Sequence, residues 1–419
     1  MIILTHSKFE TIFLVLNLLL CHFASAQWDK ILTHDAFPEH KIKLKEPHLC
    51  DKTVQQPSYI GYSYGGDDVS DTLTAALDVY VFLQIFFREF HHYAKLDFHL
   101  AGESFAGQWL PTIAFDINKY NYNHDAIRNF IHINLESILI GNGLMDPLVQ
   151  FKYYPDMACN SSYGPVLNHS TCNQLRKDCK QLIKLVKKYY NSKNAIDCMN
   201  VINFCQDKMY QPYEMAGKNL RDIRKSCNSS VSCYPELLNI VKYSNRQDVK
   251  TELGINSSFV FYTKNLTVHY NFIYSGSWII PIDIYISSLL KNNIRVLIYA
   301  GDADYGSNWL GVDAWTKVFR WSGTKGFNEA NITPWITASG NYSGEFRTFK
   351  GFTFLRIFEA GHYVPHDQPV STKTIAEIMR KHLLEVENKE EIVGIMNDDK
   401  KMSKINNKDL PIAYHDEIL

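Results

Sequence analysis

The 419-residue sequence lacks any excess of charge: 43 Lys and Arg stand against 44 Asp and Glu, a formal net charge of −1. That balance argues against nucleic acid or an anionic membrane surface as the main partner. Long apolar runs are also missing. The run from Ile12 to Cys21 is too short for a membrane-spanning helix, and no later stretch approaches it, so no membrane span is expected. The cysteines form no CxxC pair and have no histidine pair beside them, which speaks against zinc. No metal or other cofactor is expected. Internal repeats and low-complexity blocks are absent as well.

What is present suits a large globular protein, 46% hydrophobic and 21% charged, with one core domain carrying insertions. Residues 1–26 read as a secretory signal: Lys8 precedes the apolar run, and Ala24-Ser25-Ala26 offers a cleavage site before Gln27. A buried N-terminal helix is the alternative. In the secretory pathway disulfides persist. Apart from Cys21 there are Cys50, Cys159, Cys172, Cys179, Cys198, Cys205, Cys227 and Cys233, all but the first crowded between 159 and 233. Glycosylation sequons begin at Asn160, Asn168, Asn228, Asn256, Asn265, Asn331 and Asn341. A glycosylated, disulfide-rich, mainly helical insertion over 147–270 accounts for both clusters.

Along the chain, residues 27–50 mix charge with apolar residues and show no clear core strand. From Asp71 to Phe90 apolar residues recur at helical spacing. A short apolar run, Phe98 to Ala101, meets Gly102-Glu103-Ser104 and passes into a helix-compatible stretch through Ala106, Trp109 and Ile113. Ile131 to Ile140 reads as a strand stopped by Gly141-Asn142-Gly143 and Pro147. Ile294 to Ala300 is the most convincing strand and ends at Gly301-Asp302-Ala303-Asp304. Phe352 to Phe358 is another, ending at Glu359-Ala360-Gly361-His362. A closing helix over Thr372–Leu384, capped by Ser371 or Thr372, precedes a charged tail at 388–419. Residues 51–146 and 271–387 then make the core.

Three apolar strands thus each end at a residue of one chemistry: Ser104, Asp304 and His362. Strand ends of an open α/β sheet converge on one site even when distant in sequence. A serine hydroxyl is a weak nucleophile until an imidazole takes its proton, and a carboxylate orients that imidazole. The order Ser…Asp…His is that of α/β hydrolases. Taken singly, Ser104 could cap a helix, Asp304 a turn, and His362 could be a satisfied core histidine.

The stretches GESFAG (102–107), GNGLMDP (141–147), YAGDADYGSNWLG (299–311) and FEAGHYVPHDQP (358–369) resemble the serine carboxypeptidase family, and the likeness runs from Gln56 to about His382. HDAFPEHKIKLKEP (34–47) is similar to the end of that family's propeptide and the start of its mature enzyme. The resemblance implies an α/β-hydrolase fold and a secreted or vacuolar enzyme, active at acid pH, that takes peptide or protein C-termini. It implies Ser104 as nucleophile, His362 as acid/base and Asp304 as its orienter, with Asp302 the weaker candidate. Phe105 would give one oxyanion-hole donor through its N–H. Glu103 would help bind the substrate carboxylate, and Trp278 and Tyr363 would line subsites. Ser307 stands where some members carry a free cysteine. For each lining aromatic, core packing is the competing reading. Family pairs imply Cys159–Cys172, Cys179–Cys205 and Cys227–Cys233, leaving Cys50 and Cys198 unassigned.

One family feature is absent. The segment that normally joins the HDAFP-like and QQPSYIGYSY-like regions, with its NGGPGCSS motif and the first strands of the sheet, has no counterpart here. The cysteine that usually bridges to that motif is also replaced, at Lys264. Half the oxyanion hole would be lost, at a typical cost of ~10²–10³ in rate. The edge beside the Ser104 strand would be bare. A catalytically impaired or inactive secretory homologue, from a truncated isoform or an incomplete gene model, is therefore the second expectation, and an esterase or acyltransferase with the same triad the third.

Overall fold

The computed structural model describes residues 69–122, 130–227, 233–234, 237–337 and 340–381, with N-terminal segments 2–5, 11–14, 30–35 and 37–44. The 388–419 tail, Cys50 and Asn228 lie outside the described residues. Twelve strands are described: β1 (Ile2–Thr5), β2 (Thr11–Leu14), β3 (Lys30–His34), β4 (Phe37–Leu44), β5 (Asp97–Glu103), β6 (Leu135–Gly141), β7 (Lys218–Asn219), β8 (Asp222–Ser226), β9 (Arg295–Gly301), β10 (Thr333–Ile336), β11 (Tyr342–Phe349) and β12 (Phe352–Ile357). Eight of them form one mixed sheet in the order β10-β11-β12-β9-β6-β5-β1-β2.

The centre of that sheet, β12-β9-β6-β5, is parallel. Parallel strands are covered on both faces, and β9 is accordingly buried along its whole length. Alternate residues serve the two faces. Ile138, Ile140, Val296 and Ile298 join Phe86, Phe98 and Trp315 on one side. Leu139, Leu297, Tyr299 and Leu355 join Ile375 on the other. Each aromatic or aliphatic side chain removed from water there stabilises the fold by about 1.5–3 kcal/mol.

Register sets the site. Glu103 at the end of β5 is level with Gly141 of β6, Gly141 with Tyr299 of β9, and Gly301 with Ile357 of β12. The loops that follow these strands therefore leave the sheet side by side.

Helix α1 (Thr72–Glu89) begins where Asp71 accepts the N–H groups of Leu73 and Thr74, a carboxylate cap that also favours the positive helix end. The strand expected from Ile131 begins only at Leu135, because the Gln84 side chain takes up the backbone of Ile131 instead. The last described helix is Pro369–Lys381. Its start at Pro369 corrects the expected Ser371 or Thr372 cap: proline opens the helix, and the Thr372 hydroxyl donates back to Gln368 O. In segment 27–50, β3 and β4 pair antiparallel, and Leu32 packs on Val81 and Ile85 of α1. The expected bare edge is also corrected. β1 pairs antiparallel with β5, so backbone from the segment read as a leader occupies that edge.

Residues 147–270 are mainly helical, dominated by the helix His169–Ser192, with the β7–β8 hairpin among them. Their core of Tyr154, Leu175, Leu182, Val186 and Tyr189 includes Ala303 and Tyr305 from the loop after β9. Disulfides join Cys159 to Cys172 and Cys227 to Cys233. The expected Cys179–Cys205 bridge is not formed. The Cys179 thiol instead donates to Phe151 O and Lys152 O, while Cys205 lies near the Tyr154 hydroxyl. Cys198 is a third buried thiol. Burial pushes these thiols up, Cys179 to about 11 and Cys198 and Cys205 to about 12, which makes them poor nucleophiles. Asn160, Asn168, Asn256, Asn331 and Asn341 are exposed. Asn265 is half-buried and caps a helix through its own amide oxygen. The arrangement predicts that Cys179, Cys198 and Cys205 resist alkylation in native protein and react after unfolding without reductant. Peptide mapping by mass spectrometry checks it, and a recovered Cys179–Cys205 cross-link would contradict it.

Candidate active site

The turn after β5 is forced into an unusual backbone. Ser104 has φ 64°, a left-handed conformation that costs a non-glycine residue energy. Its N–H donates to Gly141 O (2.9 Å), and its carbonyl accepts the N–H groups of Gly107 (3.0 Å) and Leu144 (3.1 Å). Small residues make this turn possible. A Cβ on Gly107 would sit 2.7 Å from the Leu144 backbone, and one on Gly102 would sit 2.7 Å from Ala106 Cβ. The chain then enters helix α2 (Ala106–Tyr122), whose N-terminus lies beside the serine. The Phe105 N–H has no backbone acceptor among the described residues.

Asp304 is fully buried. Its Oδ2 accepts from His362 Nδ1 at 2.7 Å, from Asn142 Nδ2 at 3.0 Å and from the Ser307 N–H at 3.3 Å. Its Oδ1 accepts the Gly306 N–H at 3.0 Å. Four donors satisfy a carboxylate that water does not reach. Ser307 therefore serves through its backbone. Asp302 is engaged elsewhere, by Tyr163 (2.6 Å), Arg356 (3.2 Å) and the Glu359 N–H (2.9 Å). The His362 ring is buried and has Tyr363 edge-on at 5.4 Å. Ser104 Oγ makes no hydrogen bond to that ring in this structure; such bonds are often long before substrate binds.

Asn142 is the residue that sequence reasoning passed over. It stands in Gly-Asn-Gly at the end of β6, with φ 41°, a conformation asparagine tolerates better than most residues. Its Oδ1 accepts the Gly301 N–H (3.1 Å) while its Nδ2 reaches Asp304, so one amide ties the end of β6 to the loop after β9. An asparagine at the glycine-rich end of an apolar strand was the available signal.

Glu103 keeps some solvent contact, yet protein encloses its carboxyl. Burial pushes it up to about 7, against the opposing pull of His362, a 3.4 Å hydrogen bond from Tyr299 and the Val364 N–H. Beside it opens a cleft of about 490 Å³ lined by Phe105, Trp109, Phe272, Trp278, His269 and Lys264 among others. Phe105 stacks on Trp278 at 4.8 Å, and His269 meets the Trp278 edge at 4.9 Å. The structure thus gathers Glu103, Phe105 and Trp278 at one cleft and brings Asp304, Ser307, His362 and Tyr363 into one connected group, with Ser104 following Glu103.

The strained serine turn between a parallel strand and a helix is that of an α/β-hydrolase fold. Within that class the chain belongs to the serine carboxypeptidase family, whose sequence model matches residues 53–381. It is 42% identical over 317 residues to carboxypeptidase Y of Candida albicans, which covers 75% of this chain and 57% of that one. It is 40% identical over 317 residues to carboxypeptidase Y of Komagataella phaffii, 75% of this chain and 59% of that one. The chain therefore spans under two thirds of the length of these relatives. In fold it is similar to the crystal structure of Kex1, a prohormone-processing carboxypeptidase from Saccharomyces cerevisiae, with TM-score 0.66, 22% identity, and 80% of this chain and 74% of that chain covered.

Two outcomes follow for stability. Asn142→Ala leaves the Gly301 N–H unpaired and removes a donor from Asp304, which lowers unfolding free energy by about 1–3 kcal/mol in urea melts. For Glu103 the folded state holds its proton more tightly than the unfolded chain. Its contribution to stability therefore falls as pH rises from 4.5 to about 7. Glu103→Gln abolishes that slope. Relative to the parent it gains on the order of 3 kcal/mol across the window and no more above it; parallel melts at pH 4 and pH 8 check the sign.

Proposed function

We propose that the protein is a serine-type carboxypeptidase that releases C-terminal amino acids from peptides through an acyl-enzyme. The observation that carries this is the buried 2.7 Å contact from His362 to Asp304 on loops that leave the sheet beside the strained Ser104 turn. Ser104 Oγ attacks the last peptide carbonyl while His362 Nε2 takes its proton; Asp304 holds the ring by Nδ1 and stabilises the imidazolium. The Phe105 N–H receives the oxyanion. His362 then protonates the departing amino acid, water enters, and the same ring activates it to free the acyl group. No cofactor takes part in these steps.

A carboxyl near a substrate carboxylate has to hold its proton, or the two charges repel. Glu103, at about 7, holds one at acid pH, which supports an acidic working range. The Phe105–Trp278 stack supports subsites for apolar side chains, and the half-buried Tyr363 beside the His362 ring supports a lining role at the same mouth. We read 147–270 as a glycosylated insertion in a core of 51–146 and 271–387, within a protein of the secretory pathway. Among the described residues no helix is long and apolar enough to cross a membrane. The leader reading of 1–26 and the place of β1 and β2 in the sheet are alternatives for the mature protein; N-terminal sequencing of secreted material distinguishes Gln27 from Met1.

A second reading, a folded but catalytically weak homologue, is favoured by one observation: the sequence has no NGGPGCSS-like stretch to supply a second oxyanion donor. The experiment that separates the two is fluorophosphonate labelling of the 419-residue protein with a Ser104→Ala control, followed by assay on blocked dipeptides. The expected result is labelling that Ser104→Ala abolishes and release of single C-terminal residues at acid pH. Soluble, folded protein without Ser104-dependent labelling would sink the peptidase reading, and ester hydrolysis without amino-acid release would favour an esterase. With an active enzyme, kcat/KM falls as pH rises through about 7; Glu103→Gln flattens that limb.

A further inference from the structure

The loops that carry Asp304 and His362 both lean on one element outside the sheet, the turn between β7 and β8. The Tyr305 and Gly306 N–H groups donate to Leu220 O (3.1 and 2.9 Å), the Ile223 N–H to Ala303 O (2.8 Å), and the His362 N–H to Arg221 O (2.7 Å). Residues 220–223 thus bond directly on both sides of Asp304 and to His362 itself. The fit leaves no slack: a Cβ on Gly361 would lie 2.4 Å from Arg221 O.

A charge cluster locks the same junction. Asp222 of β8 and Asp367, from the turn after His362, have side chains 0% and 5% exposed. Arg224 reaches Asp222 at 2.7 Å and Asp367 at 3.4 Å; Lys225 reaches them at 3.3 and 3.2 Å. Arg224 also donates to Glu359 O, and Asp367 accepts the Gly361 N–H at 2.7 Å. Two buried carboxylates this close are tolerable only with cations between them, and the planar Arg224 fork binds Asp222 through Nε and Nη2 at once. The residue after the histidine is gripped too: Tyr363 has the Arg221 guanidinium 5.2 Å over its ring and Tyr234 edge-on at 5.0 Å.

We propose that Arg224, by joining Asp222 to Asp367, forms an ionic clamp by which the insertion positions His362 on Asp304. Arg224 and Asp367 are positioning residues, acting through the His362 loop rather than on substrate. The clamp's role in turnover rests on the acid–base reading given above; its effect on the His362–Asp304 contact does not.

Two measurements test it. The first is the low-field proton resonance of His362 Nδ1–H, identified by its loss in His362→Gln. It persists in the parent protein, is retained but broadened in Arg224→Lys, which keeps the charge without the fork, and is lost in Arg224→Met and Asp367→Asn while circular dichroism is unchanged. The second is turnover per fluorophosphonate-titrated serine, which falls about 10- to 100-fold in those two variants with KM little changed and recovers in part in Arg224→Lys. A cluster that only staples the insertion to the core would lower the titratable fraction and leave turnover per site and the resonance alone. Should Arg224→Met not fold, the isosteric Asp367→Asn decides. An unchanged resonance in Asp367→Asn, or none in the parent, overturns the clamp. A resonance that responds as expected in a protein that phosphonates fail to label keeps the clamp and discards the peptidase reading.

Discussion

A carboxylate shut away from water needs every lone pair answered, and in this protein that requirement falls on Asp304. Its donors come from His362, from Asn142 at the end of β6, and from the backbone of its own loop. Each is delivered by a different part of the chain. The carboxylate therefore acts as a knot between loops, and the orientation of the His362 ring follows from how firmly the knot is tied. Removing a donor would leave a buried charge short of partners, a heavier penalty than the loss of one exposed contact.

The sheet makes this arrangement possible by register. Parallel pairing places the ends of β5, β6, β9 and β12 side by side, and apolar side chains on both faces keep the strands from sliding. Strain is then concentrated at the serine turn, where φ at Ser104 is positive and Gly102 and Gly107 admit the close approach of α2. The surrounding core over-determines that turn. The mainly helical region contributes more than bulk, since Ala303 and Tyr305, flanking Asp304, belong to its core and Tyr305 stacks on Tyr213 at 3.9 Å.

Several features were legible in the sequence because they depend on local pattern. α1, β5, β9 and β12 have the apolar periodicity of buried elements, and Ser104, Asp304 and His362 could be named because each closes an apolar run. The antiparallel strands β10 and β11 were missed; their burial is patchy, with Ile336 and Tyr342 exposed, so alternation is weak. The hairpin at 218–226 was missed for a different reason. What it contributes are the carbonyls of Leu220 and Arg221, and a backbone carbonyl carries no sequence signature. The Cys179–Cys205 pairing failed because likeness to a family gives proximity, whereas bonding depends on where each thiol points.

The sequence by itself determined the fold class and placed Ser104, Asp304 and His362 each at the end of an apolar strand, because hydrophobic period and turn residues act over a few positions. Only the tertiary structure decided which groups meet: Asn142 with Asp304, Arg224 with both Asp222 and Asp367, Glu103 with Tyr299. The physical reason is that satisfying buried charge is a non-local demand, met by whichever donors the packed sheet and hairpin bring within reach.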